Sequence, residues 1–463
     1  MSSVSEGLFR VAFRRRVRQF AGIPGPPPRF PFGTLLDFVG RQPWDVLAGY
    51  GKTYGGMSVA WAFGVPLVVL NDAELIGDVL DRRHADYYKD VPGAALAPVI
   101  LPQCLFISNG PSWARRRAAH PMNLPDLDSW LDAQVPVLRA ELEAGIDRLV
   151  ARSATGPFDL LDAILRLSFR AFARVTWGDP FGDDDYDRFM YLGGVGDGRM
   201  KNPLRAMLPP FSPRFWSEQR AWYAKFSQLI AAAARSPDPA RTDLLATMLR
   251  RGAAPDSKEF LALMANIFYG GVYSASSCLA TTFYQLARRP DLAAPLRAEV
   301  GDLFARAPAF DRAALDAAPL LDGVVRESLR YLTPVPLYGR NVVTTRPTTL
   351  GGRTLPPNTI VLVTNWLLHR SPAHWSDPDH YDPYRWVNGA RAADPPGSGY
   401  FFPFGRGPRQ CVGLRFALFY LKLAAATVCV RSRVELEPGA EYKQSYFFGV
   451  MMPRGLSARF ARP

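Results

Sequence analysis

FGRGPRQCVG, residues 404–413, holds one cysteine, Cys411, framed by Gly407 and Gly413, preceded by Pro408 and flanked by Arg406, Arg409 and Arg415. The glycines permit a tight loop that brings backbone N–H groups close to the sulfur. The arginines raise the local potential and favour thiolate over thiol. Val412–Val430 is apolar nearly all round, which predicts a buried helix whose N-terminal dipole points at the sulfur. A buried thiolate with no partner cysteine wants a metal. The blander reading is a buried structural cysteine, the usual fate of a lone Cys.

The 463 residues are 48% hydrophobic, enough for a sizeable core, and length alone suggests two or three domains of ~150 residues. Cysteines at 104, 278, 411 and 429 show neither CxxC spacing nor a disulfide framework. That pattern fits a reducing cytosol and argues against structural zinc. The formal charge is +13, but no basic run is interleaved with aromatics beyond the first twenty residues, so nucleic acid is not expected. An acidic protein partner, or an arginine-rich composition alone, explains the charge as well.

No stretch reaches the ~18–20 apolar residues of a membrane-spanning helix. Residues 1–23 open with MSSVSEGLFRVAFRRRVRQF, which mixes Leu8, Val11, Phe13 and Val17 with Arg10, Arg14, Arg15, Arg16 and Arg18. This basic amphipathic segment reads as a peripheral membrane contact, as a transit-like leader, or as a terminus packed on the body. Prolines at 24, 26, 27, 28 and 31 then form a stiff spacer. Met57–Leu70 reads as two strands around a Gly-Val-Pro turn, and Leu337–Thr364 as strands separated by tight turns. Most of 72–290 has helical periodicity, with breaks near 92–111 and 203–214. The fold class is mainly α with small β-sheets (α+β).

The 404–413 stretch resembles the haem-binding loop of the cytochrome P450 family, FxxGxRxCxG, with Phe404, Gly407, Arg409, Cys411 and Gly413 in its fixed places. The resemblance covers residues 24–463. It implies the family's single triangular, haem-enclosing domain and haem b as cofactor, with Cys411 the axial iron ligand that helps O–O cleavage. Four further features follow in family order. Glu327 and Arg330, three apart on a predicted helix 324–332, can pair. Such pairs are usually weak surface contacts, but the resemblance implies a buried network completed by Arg385, a structural support for the ligand loop. Trp113 and Arg117 resemble a WxxxR pair that approaches a haem propionate, on a helix begun by 110–112 with Ser112 as cap. Arg409 and Arg340 are two more propionate candidates. His369 is read as structural.

The departure lies in GGVYSASSCLATTFYQLARRP, residues 270–290, which resembles the long helix over the oxygen-binding face of the haem. Gly270 and Gly271 stand where a small pair widens an oxygen groove. Where the family has an acid and an alcohol that relay protons to dioxygen, this chain has Tyr273 and Ser274. A phenol with an ordinary pKa near ~10 is a poor substitute for a carboxylate, and Tyr273 pointing away into packing is the equal alternative. No arginine–proline pair occurs there, which disfavours a peroxide-using enzyme.

Segments 94–104, 190–216, 267–274, 335–338 and 447–452 correspond to pocket-lining regions and are rich in apolar side chains, which suits a hydrophobic small-molecule substrate. The resemblance implies a monooxygenase; the absence of a membrane-spanning stretch and the arginine- and alanine-rich composition suggest a cytoplasmic one with a role in secondary metabolism or hydrophobic-compound oxidation. It would use O2 and electrons from NAD(P)H through a separate ferredoxin, flavodoxin or flavin reductase, steered by Arg406 and Arg415. Two rivals stand: a haem-thiolate coupling, cyclising or isomerising enzyme that inserts no oxygen, and a non-catalytic haem sensor or carrier.

Overall fold

The computed structural model describes residues 2–89, 96, 98–178, 181–202, 205, 208, 212–306, 312–387 and 399–463. Twelve strands are found among the described residues: β1 (Met57–Ala62), β2 (Val65–Leu70), β3 (Tyr87–Lys89), β4 (Phe158–Asp159), β5 (Tyr338–Val342), β6 (Thr348–Leu350), β7 (Arg353–Leu355), β8 (Ile360–Val363), β9 (Arg433–Leu436), β10 (Lys443–Phe447), β11 (Val450–Arg454) and β12 (Ser457–Ala461). The chain divides into two compact units. The first comprises Met1–Gly93, Val335–Asp379 and Asp394–Cys411; the second takes Ala94–Pro334, His380–Ala393 and Val412–Pro463.

The first unit is built on a five-stranded sheet of order β1-β2-β8-β5-β3, with only the β2–β8 pair parallel. Val68, Leu70, Val361 and Val363 are wholly buried, as expected of β-branched and aliphatic residues on a covered sheet. The β1–β2 turn is Phe63-Gly64, with Phe63 at φ 53, not the expected Gly-Val-Pro. Pro66 instead sits inside β2 opposite Trp61, one residue before the pairing with β8 begins at Leu67. Its missing N–H therefore breaks no bond to β8. Helices Ser2–Ala12 and Arg14–Gln19 lie on this unit, anchored by buried Phe9 and Phe20, both edge-on to Trp61.

The second unit is mainly helical, with β4-β12-β9 and β10-β11 as small sheets. Its longest helix, Lys258–Arg288, starts where the Ser257 side chain accepts from Phe260 N–H. It stops at Arg289, which the following Pro290 keeps out of the helical region. Helix Leu160–Trp177 packs along it, capped by Asp159 and closed by left-handed Gly178. Phe169, Phe181, Phe189, Trp222, Phe226 and Phe268 interlock around these helices, with Phe169 and Phe268 centroids 5.1 Å apart. Such offset and edge contacts add to burial. No helix among the described residues is long and apolar enough to cross a membrane.

Candidate active site

Cys411 closes a loop of the first unit that is fixed bond by bond. Its N–H donates to the Phe404 carbonyl at 2.8 Å, Gln410 N–H to Gly407 at 2.9 Å, and Gly405 N–H to Phe402 at 2.9 Å. Phe402 N–H in turn donates to Nε2 of wholly buried His369 at 3.1 Å, the structural position expected for that histidine. Gly405 and Gly407 adopt φ 71 and 70, which side chains disfavour. A Cβ at Gly407 would lie 2.1 Å from the Leu80 carbonyl. Tyr338 underpins the loop through its hydroxyl, which donates to Pro403 at 3.3 Å. Its phenol is pushed up by burial and further by the nearby Cys411. The Cys411 thiol is exposed, unlike Cys104, Cys278 and Cys429, and no disulfide forms. An accessible sulfur on a rigid backbone suits a metal ligand better than core packing.

Arg340, on β5, is buried, and Arg409 in the loop feels its charge. Burial first, and then Arg340, lowers Arg409 to about 10. Two crowded guanidiniums form a locus that an anionic group relieves, and a planar fork matches a carboxylate. The other two loop arginines have acidic partners, and Arg415 stays exposed. Arg406 pairs with Asp81 at 3.4 Å in the first unit, and Arg415 with Asp128 in the second. Much of their charge is answered by acids that lie far away in sequence. Gly413 precedes helix Leu414–Arg431 as its N-cap, at φ −89.

In the second unit, Glu327 and Arg330 are both wholly buried on helix Pro319–Leu332. Arg330 Nε and Nη2 reach the two Glu327 oxygens at 2.9 and 2.7 Å, a bidentate pair. Arg385 Nε reaches the same carboxylate at 3.3 Å, the contact that the resemblance implies. The structure adds Trp386 Nε1 at 2.9 Å and Asp382 N–H at 2.9 Å, donors that sequence reasoning missed. PYRW (residues 383–386) carried that signal, since a buried indole N–H needs an acceptor. Gly323 permits the approach, because a Cβ there would meet the Pro383 carbonyl at 2.7 Å.

Trp113 and Arg117 lie one turn apart on helix Gly110–Ala118, both half-buried. The cap is Asn109 rather than Ser112, whose hydroxyl sits inside the first turn and donates back to the Asn109 carbonyl at 2.8 Å. Arg117 also bears on buried His120, which is lowered to about 3 by burial first and by that cation second.

Along Lys258–Arg288, every residue from Val272 to Leu286 is buried except Ser274. Ser274 Oγ donates to the Gly270 carbonyl at 3.0 Å and contacts that of Gly271 at 3.3 Å, ordinary back-bonding within a helix. The two glycines do different things. A Cβ at Gly271 would strike the Phe172 ring at 2.1 Å, whereas one at Gly270 would meet nothing within 4 Å. Gly270, exposed, and Ser274, half-buried, thus form a less covered strip one turn long on this helix. Tyr273 turns the other way: wholly buried, it stacks on Phe189 at 4.6 Å and donates to the Phe189 carbonyl at 3.3 Å. Burial raises its pKa well above the usual phenol value. Its hydroxyl belongs to packing in this structure.

Of the pocket-lining segments, residues 94–95, 97, 203–204, 206–207 and 209–211 lie outside the described residues. Phe448, Met451 and Met452 are buried, and Phe448 packs on Tyr269 at 5.3 Å. Among the described residues no His/Cys/Asp/Glu cluster could hold a metal ion, so no multi-ligand protein site competes with the single sulfur.

A family model described as Cytochrome P450 matches residues 23–457. Cytochrome P450 3A6 of Oryctolagus cuniculus is 26% identical over 91% of this chain and 89% of its own length. Cyclooctat-9-en-7-ol 5-monooxygenase of Streptomyces melanosporofaciens is 31% identical over 61% of the chain and 62% of its own length. Cyclooctatin synthase of the same organism is 29% identical, covering 80% and 81%. Among solved structures, the cytochrome P450DA heme domain superposes with a TM-score of 0.77 at 21% identity, covering 95% of this chain and 96% of that one.

Proposed function

The chain belongs to the cytochrome P450 family and is a haem-dependent monooxygenase; from that premise we propose that its substrate is a hydrophobic small molecule, oxidised with electrons that a separate protein carries from NAD(P)H. The observation that carries the site assignment is the exposed thiol of Cys411 on a loop where the N–H groups of Gly405, Gln410 and Cys411 are all hydrogen-bonded to backbone carbonyls. Haem, when bound, supplies the activation of dioxygen, which no side chain here can perform.

In this reading Cys411 Sγ holds the iron, and Phe404, Gly407 and Gly413 shape the loop. Arg409 and Arg340 would take a propionate, and Trp113 and Arg117 are the other candidates for such a group. Glu327, Arg330 and Arg385 are support: a carboxylate satisfied by five donors keeps the 380–387 segment in place and moves no proton. Gly270 leaves room above the helix for dioxygen, and Ser274 offers it a hydroxyl. Tyr273 positions the helix and donates no proton, so protons come from water or from the substrate. One relative named cyclooctat-9-en-7-ol 5-monooxygenase and another named cyclooctatin synthase, both of Streptomyces melanosporofaciens, support an apolar substrate and a secondary-metabolic role here.

The testing experiment is the absorption spectrum of the dithionite-reduced protein under carbon monoxide, followed by turnover with labelled dioxygen. A strongly red-shifted Soret band and label in the product are expected. A Soret band typical of imidazole ligation would overturn the Cys411 assignment. Unlabelled product would move the chain to the coupling or isomerising reading.

A further inference from the structure

Among the described residues, nine of the thirteen exposed large hydrophobic side chains fall within the first 65 residues. Surface apolar residues scattered singly mean nothing, but a concentration does. Helix Ser2–Ala12 is two-faced. Phe9 is wholly buried against Trp61, while Val4, Leu8 and Val11, spaced four and three apart, are 68%, 55% and 73% exposed. That spacing puts the three on one outward stripe.

The stripe has neighbours. Phe30 N–H donates to Ser5 Oγ at 3.0 Å, which ties the 29–33 turn to the same helix. Phe63 N–H donates to the Phe32 carbonyl at 3.1 Å, and the two rings lie 5.9 Å apart. Phe30, Phe32 and Phe63 are 45%, 42% and 50% exposed. Three phenylalanines at the tips of two turns thus extend the apolar stripe.

The charge beside this surface is of one sign. The first twenty residues hold five arginines against a single glutamate, Glu6. Arg10 answers Glu6 at 2.8 Å, and Arg16 donates to the Gly64 carbonyl at 2.7 Å, just past the Phe63 tip. Arg14, Arg15 and Arg18 are exposed, and among the described residues no ion pair engages them. An apolar stripe with a cationic flank complements a surface that is negative outside and hydrocarbon within.

We propose that the first unit docks on an anionic lipid surface, with Val4, Leu8, Val11 and the Phe30–Phe32 and Phe63 turns entering the acyl boundary while Arg14, Arg15 and Arg18 meet the headgroups. This inference goes beyond the reaction and is independent of which substrate is oxidised. It would also hold the enzyme where hydrophobic molecules concentrate.

The test is co-sedimentation of the haem-loaded full chain with large vesicles of phosphatidylcholine alone or with one third phosphatidylglycerol. The wild type is expected to partition at least tenfold more strongly onto the anionic vesicles, and added salt should weaken it. Neutralising Arg14, Arg15 and Arg18 to Gln should lower partitioning about a hundredfold. Leu8→Ser with Phe63→Asn should lower it at least tenfold, Asn being tolerant of the left-handed backbone at 63. Should that pair fail to fold, judged by circular dichroism and the reduced carbon monoxide spectrum, Val4→Ser with Val11→Ser serves instead. Equal partitioning onto both vesicles, or variants that bind like the wild type, would overturn the proposal. So would a wild-type dimer that Leu8→Ser dissociates, which would mean that a second copy covers the patch.

Discussion

Glu327 shows at the residue scale how burial converts a weak pair into an obligatory one. Replacing it with Gln leaves Arg330, itself wholly buried, without a counter-charge, and breaking such a pair costs about 3–5 kcal/mol. Urea unfolding of Glu327→Gln should show that loss, together with low haem content. Tyr273→Phe removes one long hydrogen bond to a carbonyl, a change worth about 1 kcal/mol. Turnover should stay within about twofold; a tenfold fall would return the phenol to proton delivery. His120 gives a pH dependence. Its pKa is lowered from 6.5 to about 3 in the folded chain, so between those values the unfolded chain binds more protons. This contribution is complete above pH 6.5 and is lost as pH falls towards 3. His120→Asn retains an acceptor for Met122 N–H without titrating, so its stability should decline less between pH 6 and pH 4 than the wild type's, measured by urea midpoint (about these pH values).

At the element scale, adjacent glycines on one helix should respond oppositely to alanine. Gly270→Ala meets nothing within 4 Å and gains helix propensity, so it should stabilise by about 0.5–1 kcal/mol. Gly271→Ala drives a methyl into Phe172 and should destabilise by about 1–3 kcal/mol. Thermal unfolding of the two variants checks both signs. The same contrast separates the less covered strip at Gly270 and Ser274 from the flank where Gly271 packs on Phe172 of the Leu160–Trp177 helix.

At the scale of the whole molecule, the two arginines close to Cys411 in sequence that could steer a donor, Arg406 and Arg415, are already paired with Asp81 and Asp128. Steering of an acidic electron donor should therefore be modest. Its rate should fall by less than about tenfold between low salt and ~0.15 M, read by stopped-flow reduction. Neutralising Asp81 with Asn frees Arg406 and should steepen that dependence.

The 404–413 loop was legible in the sequence because its constraints are local. Glycine freedom, a single thiol and a following apolar helix lie within about thirty residues, and short-range sterics fix them. The Glu327–Arg330 pair was legible for the same reason, three residues apart on one helix face. What only the tertiary structure decided are partners brought from afar. Trp386 and Asp382 reach Glu327 from more than fifty residues away, Asp81 reaches Arg406 across 325, and Tyr273 chose Phe189 over the less covered strip. Such pairings follow from which surfaces pack, and packing depends on the volumes of side chains from many segments at once. Local spacing carries no record of that.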